Sequence, residues 1–247
     1  MKAKLVTALL AVGVTFGSVQ AQAACSDVSH SALKAAVDVV LAAQNTVGFG
    51  LNMWATVVDE TGKVCAVATT GTTGAAAGNS EWLGSRVISA QKANTANAFS
   101  LDAVSISSGA LYAAVQPGGS LFGLSDSNPV DPAAAYAGEP STYGTATDAL
   151  VGKRIGGVNT FGGGIALYNG NGVKVGALGV SGDSSCTDHA FAWRVREALS
   201  LGEANSPGGF EKLTIASTFA NLGDHPACGA GESFLTANGA LFGYINN

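Results

Sequence analysis

Charge is scarce in this sequence. Only 12% of its 247 residues are charged, and 12 Lys and Arg face 17 Asp and Glu. Without a basic footprint, neither nucleic acid nor an anionic membrane surface is a main partner. Histidine occurs three times, too few to define a Ser-His-Asp order among the many serines. The glycine run Gly162-Gly163-Gly164 lacks the Lys-Ser/Thr ending of a phosphate loop, and Gly152-Lys153-Arg154 has the wrong spacing and last residue. Those glycines instead suit one backbone segment approaching another closely. No internal repeat is found, and no linker divides the chain into two domains.

Lys2 and Lys4 precede an apolar run from Leu5 to Phe16, and Ala21-Gln22-Ala23 follows. A charged start, a short apolar stretch and a small-residue site are the three parts of a secretory signal peptide. The run is about 12 residues, against roughly 20 for a bilayer-spanning helix. A lipoprotein signal is the competitor because Cys25 lies close behind, but Gln22 stands where a lipobox needs a branched apolar residue. The expectation is removal of residues 1–23 and a periplasmic or secreted protein with no membrane span. Loss of the two lysines takes the net charge from −5 to −7. Residues 24–247 are enough for one full core.

Ser31 to Asn45 carries Leu33, Ala36, Val37, Val40 and Leu41 at helical spacing. Leu51 to Val58 and Lys63 to Thr69 read as strands joined at Asp59-Glu60-Thr61-Gly62. A second helix is expected over Glu81 to Phe99, then an excursion over about 105–151 whose elements the pattern does not place. Ile165 to Tyr168 pairs with Val173 to Val180 across Asn169-Gly170-Asn171-Gly172. A third helix spans Asp188 to Leu201, Leu213 to Thr218 reads as a strand, and a loop-like tail follows. Strands joined by tight turns form an antiparallel sheet, with the helices packed on it.

Cys25, Cys65, Cys186 and Cys228 make an even count in an exported chain, which points to two disulfides with three possible connectivities. A helix followed by an out-and-back strand pair brings Cys25 and Cys65 to one end, which favours Cys25–Cys65 and Cys186–Cys228. The mirror spacings Cys186-x-x-His189 and His225-x-x-Cys228 also match a Cys₂His₂ zinc site. An oxidising compartment removes the thiolates zinc needs, so a disulfide with two adjacent histidines is preferred. On the third helix, His189, Trp193 and Arg196 recur at i, i+4 and i+7. One such face suits haem, as iron ligand, stacking surface and propionate partner, and it equally suits a subunit interface. Ser181, Gly182, Ser184 and Ser185 lead into that helix and form a candidate anion seat, which Asp183 and Asp188 oppose.

Four stretches in order resemble the GlcG/HbpS-type haem-binding family, sometimes labelled haem-degrading. They are Val57-Val58-Asp59-Glu60-Thr61-Gly62, Gln91-Lys92-Ala93-Asn94-Thr95-Ala96, Phe161 to Leu167 and Gly176 to Gly182, with Asp188 following. The resemblance runs from about Leu33 to Leu201. It implies an α/β (α+β) fold with an antiparallel sheet of about five strands flanked by helices, profilin/PAS-like, and a homo-oligomer. The excursion, the cysteines and the C-terminal tail set this chain apart as an exported branch. The resemblance supplies no mapped haem ligand and no catalytic residue, so whether the chain is an enzyme stays open.

The first functional expectation is an exported protein that binds or senses haem, with His189 or His225 on iron, Trp193 beside the ring, and Arg194 or Arg196 on a propionate. The alternatives are a small organic-acid enzyme or accessory subunit using the Ser181–Ser185 loop, and a ligand-free oligomeric envelope protein.

Overall fold

The computed structural model describes residues 24–43, 48–71, 73, 84–202, 205–229 and 245–246. The leader and its cleavage site lie outside the described residues. So do the expected helix start at Glu81 and most of the C-terminal tail.

In chain order, α1 is Ala24–Asp27, α2 is His30–Ala43, β1 is Trp54–Asp59, β2 is Val64–Thr69 and α3 is Ser85–Phe99. The excursion holds β3 (Ser105–Ile106), α4 (Leu124–Ser127), α5 (Pro132–Ala135) and three short 3₁₀ turns. Then come β4 (Gly164–Tyr168), β5 (Lys174–Ser181) and α6 (Ser185–Ala198). The C-terminal part adds β6 (Gly209–Phe210), β7 (Leu213–Ile215), β8 (Asp224–His225) and β9 (Ile245–Asn246). Among the described residues no helix is long and apolar enough to cross a membrane.

The main sheet has the order β2-β1-β5-β4, and every neighbouring pair is antiparallel. It consists of two hairpins side by side. The expected antiparallel sheet flanked by helices is present, with four strands rather than about five. The outer edge of β4 takes single backbone bonds, from Ser108 N–H to the Gly164 carbonyl and from Tyr168 N–H to the Leu201 carbonyl. The chain at β3 pairs with β6 instead.

Alternation along the strands sorts side chains onto two faces. Ala55, Val57, Leu178 and Val180 join α2 and α6 in one core. Trp54, Val58, Val67 and Ala177 join Val87, Ala90 and Ala93 of α3 in the other. Both faces are covered, which is why the strands read as continuous apolar runs.

Helix α3 lies unusually close to the sheet because two facing strand positions lack a side chain. Gly164 and Gly179 are directly opposite in the β4–β5 register. A Cβ on Gly179 would stand 1.9 Å from the Ser89 carbonyl oxygen, and one on Gly164 would stand 2.2 Å from that of Lys92. The close approach expected of this glycine-rich stretch is therefore real.

The excursion is fastened to the same helix. Arg86 is buried and paired with Asp148, its guanidinium donates to the Ala135 carbonyl, and it lies 3.6 Å over the Tyr143 ring. Short turns held by one distant ion pair carry no periodic signal, so the sequence pattern could not place them. Two disulfides, Cys25–Cys65 and Cys186–Cys228, tie α1 to β2 and the first turn of α6 to the segment after β8.

Candidate functional site

Helix α6 begins at Ser185, three positions before its expected start at Asp188, because Ser184 caps it through its hydroxyl to the Thr187 N–H. Asp188 therefore sits inside the first turn and points to α3. Its Oδ2 accepts from Lys92 Nζ at 2.8 Å, and its Oδ1 accepts from the Asp183 N–H at 3.0 Å. Lys92 Nζ also donates to the Val180 carbonyl at 3.1 Å. The two side chains are 3% and 2% exposed, so this ion pair is buried. Burial pushes the Asp188 carboxyl up to about 6, against the lowering effect of Lys92.

The pair forms the floor of a cleft of about 490 Å³ between the starts of α3 and α6. Ile88 contributes an apolar wall, and Phe49 and Phe161 stand on the rim, 58% and 47% exposed. Aromatic rings left in solvent around a concave site with a few inward polar groups are the usual marks of a small-molecule pocket.

Ser181, Gly182 and Ser185 line this cleft, but the loop's anion seat is filled from within. The Asp183 carboxylate accepts from the backbone of Phe49, Leu51 and Ser184, while Asp188 accepts from that of Asp183. Ser184 is spent on its cap. An external anion at these amides would meet two carboxylates already there.

His189 and His225 lie together, on either side of the Gly162–Gly163 turn. His225 Nδ1 is 2.9 Å from the Pro226 carbonyl, which can only accept, so the proton is on Nδ1. Its Nε2 accepts from the Gly162 N–H at 3.3 Å. His189 Nδ1 accepts from the Gly163 N–H at 3.4 Å, which puts its proton on Nε2, and that atom is buried with no hydrogen-bond partner among the described residues. Both imidazoles are fully buried, and neither lines the cleft. They lie one layer behind Phe161, whose ring centroid is 6.4 Å from that of His225. Neither imidazole reaches the cleft wall; one ring nitrogen of each accepts from the glycine turn instead. With Cys186 bonded to Cys228, no thiolate is available for zinc either.

The stripe His189, Trp193 and Arg196 exists as a physical row. The His189 and Trp193 centroids are 6.2 Å apart, and the Arg196 guanidinium lies 4.5 Å from the Trp193 ring. The row is covered instead of open. Arg196 is fully buried, pairs with Glu211 and donates to the Ala166 carbonyl, and unlike Lys92 it does not line the cleft. Arg194 is half-buried nearby on the same helix.

Sequence reasoning did not single out Lys92, Ile88, Phe49 or Phe161 as cleft residues. One signal was available. The segment Ser85–Phe99 contains Arg86 and Lys92 but no acid, so neither cation can be paired within its own helix at i±3 or i±4. Each needs a distant carboxylate.

Burial drives the His189 pKa down to about 3, with His225 and Arg196 adding to it, and that of His225 down to about 4. Below pH 6.5 the unfolded histidines bind protons that the folded ones refuse. Their stabilising effect is thus complete above that pH and is lost as pH falls toward 4, at about 1.4 kcal/mol per pH unit per proton. Asp188 acts oppositely between 3.8 and about 6, since there the folded state holds the extra proton, and it offsets one of the two. The denaturation midpoint in urea is expected to fall from pH 7 to pH 4.5, with a slope of about one net proton from pH 6 downward. His189→Gln, which cannot be protonated, is expected to flatten that fall. A midpoint unchanged across this range in the parent protein would contradict burial of the neutral imidazoles.

Residues 28–197 match the family described as "Haem degrading protein HbpS-like". No curated protein matches the chain. Among solved structures, a PduOC:haem complex is 23% identical with a TM-score of 0.46, over 70% of this chain and 92% of that one. The Klebsiella pneumoniae protein ORFY is 21% identical at 0.46, over 71% and 92%. A double mutant of Streptomyces reticuli HbpS is 16% identical at 0.42, over 81% and 100%.

Proposed function

Since the chain belongs to the HbpS-like family of haem degrading proteins, we propose that it binds haem, or a related tetrapyrrole, in the cleft between α3 and α6. The observation that carries the reading is the pair of exposed phenylalanines, Phe49 and Phe161, facing one cleft over a buried cation. A tetrapyrrole has a flat apolar body and two carboxylates. Phe49, Ile88 and Phe161 suit the body, and Lys92 suits an acid group. Bound haem would supply the redox chemistry of its iron, and the side chains around it would set its orientation and keep water off one face. His189 and His225 hold the Gly162–Gly163 turn that carries Phe161, which makes them positioning residues in this reading.

The two disulfides favour an oxidising compartment. Together with the leader pattern of residues 1–23 they support export and cleavage near Ala23. Haem binding by an exported chain suits capture or sensing outside the cytoplasm.

The test is a haemin titration of the oxidised protein followed by absorbance, beside Phe161→Ser, His189→Ala and His225→Ala. A saturable one-to-one Soret shift is expected in the parent, weakened at least tenfold by Phe161→Ser and retained in both histidine variants. Loss of the shift in one histidine variant alone, with its fold intact, would move the iron ligand to that imidazole. A non-saturating titration of the parent would sink the haem reading.

A further inference from the structure

Resting on the reading that a tetrapyrrole occupies this cleft, we propose that its floor is a carboxylate-exchange site: a carboxylate of the ligand docks on Lys92 while Asp188 takes up a proton.

Lys92 is poised for a second acid. Its ammonium has three N–H donors; one goes to Val180 and one to Asp188, and the third has no bonded partner among the described residues. Both Lys92 and Asp188 line the cleft although they are almost wholly buried. The phenylalanine rim then selects an apolar body to accompany the acid group.

Charge fixes what must follow. From α3 the facing charge is Lys92, and from the loop before α6 it is Asp183, which raises the Asp188 pKa further. On α6 itself His189 is neutral, and so is His225 behind the glycine turn. Lys92 carries one positive charge, already balanced by Asp188. A second carboxylate brought to it would leave two anions around one cation in a desolvated site, and one of them must be neutralised. Asp188 is the candidate, because burial holds it near the point of protonation even beside the lysine. Its Oδ1 keeps the Asp183 N–H, so the proton goes to Oδ2, the oxygen that Lys92 releases. One O–H bond forms, the proton comes from solvent, and no other covalent bond changes.

The probes are metal-free protoporphyrin IX and its dimethyl ester, titrated into the oxidised parent protein at pH 5.5, 7.0 and 8.5 with porphyrin fluorescence as readout. Uptake of one proton predicts that affinity for the diacid falls by up to about tenfold per pH unit above pH 6. The ester is expected to bind at least tenfold more weakly at pH 5.5 and without pH dependence. Asp188→Asn, which imitates the protonated acid, is expected to bind the diacid equally well at pH 5.5 and 8.5, and Lys92→Met to bind it at least tenfold more weakly. The comparison of acid with ester is made on the parent and so does not depend on any variant folding. Equal binding of diacid and ester, or a flat pH profile for the diacid, overturns the exchange and leaves the tetrapyrrole reading standing. Failure of both porphyrins and of haemin to bind overturns the two together.

Discussion

Gly179→Ala is expected to unfold this protein or to cost it more than any other single methyl group. Facing residues on ordinary strands can move apart to admit a methyl, but Gly179 faces main chain. The added carbon would stand 1.9 Å from the Ser89 carbonyl oxygen and 2.5 Å from the Ala93 amide nitrogen, and neither atom can rotate away. Helix α3 would have to lift off the sheet, opening the Ala90 and Ala93 contacts and drawing Lys92 from Asp188. Overpacking ordinarily costs about 1–3 kcal/mol, and this substitution should lie at or beyond the upper end. Gly170→Ala is the matched control, since its new carbon would meet nothing within 4 Å. Thermal and urea denaturation of the two variants decide the matter. Equal midpoints would mean that α3 is free to shift.

Arg196→Met is the second large effect. Glu211 is buried and receives hydrogen bonds from Ser105 and Ser206 besides the Arg196 pair. Removing the guanidinium leaves a carboxylate inside the molecule with two hydroxyls and no counter-charge, a loss of about 3–5 kcal/mol. The damage should spread, since this cluster joins α6 to β3 and to the segment covering Trp193. Adding Glu211→Gln to Arg196→Met is expected to recover part of the loss, because an amide needs no cation. A double-mutant cycle by urea unfolding at pH 7 measures that recovery. A single variant within about 1 kcal/mol of the parent, close to the effect of a surface change, would show that the ion pair contributes little.

The two hairpins were legible because their turns are written locally, in Asp59-Glu60-Thr61-Gly62 and in Asn169-Gly170-Asn171-Gly172. Helix α2 announced itself through Leu33, Ala36, Val37 and Val40, which are its buried residues. The helix spacing of His189, Trp193 and Arg196 was also right. What helix geometry cannot say is whether a face is open, and here Glu211 and its neighbours close it. The cleft was hidden for a similar reason. Lys92 and Asp188 both stood in stretches that carried the family resemblance, yet their meeting depends on a contact across 96 positions. Phe49 and Phe161 lie among glycines, where no periodicity marks a wall.

The sheet order also divides the molecule in two. One hairpin comes from the first half of the chain and the other from the second. Each half is closed by its own disulfide, spanning 40 and 42 positions. The halves meet along the six residue pairs of β1 and β5 and where α3 lies on Gly164 and Gly179, and the excursion between them contributes no strand to the main sheet. A cut in that excursion severs no covalent loop and no main-sheet strand. In topological terms the protein is a heterodimer whose subunits happen to share a tether. Phe49 and Lys92 belong to one half, Phe161 and Asp188 to the other, so the cleft is the seam of a split protein, and any molecule that fills it would bridge the two pieces.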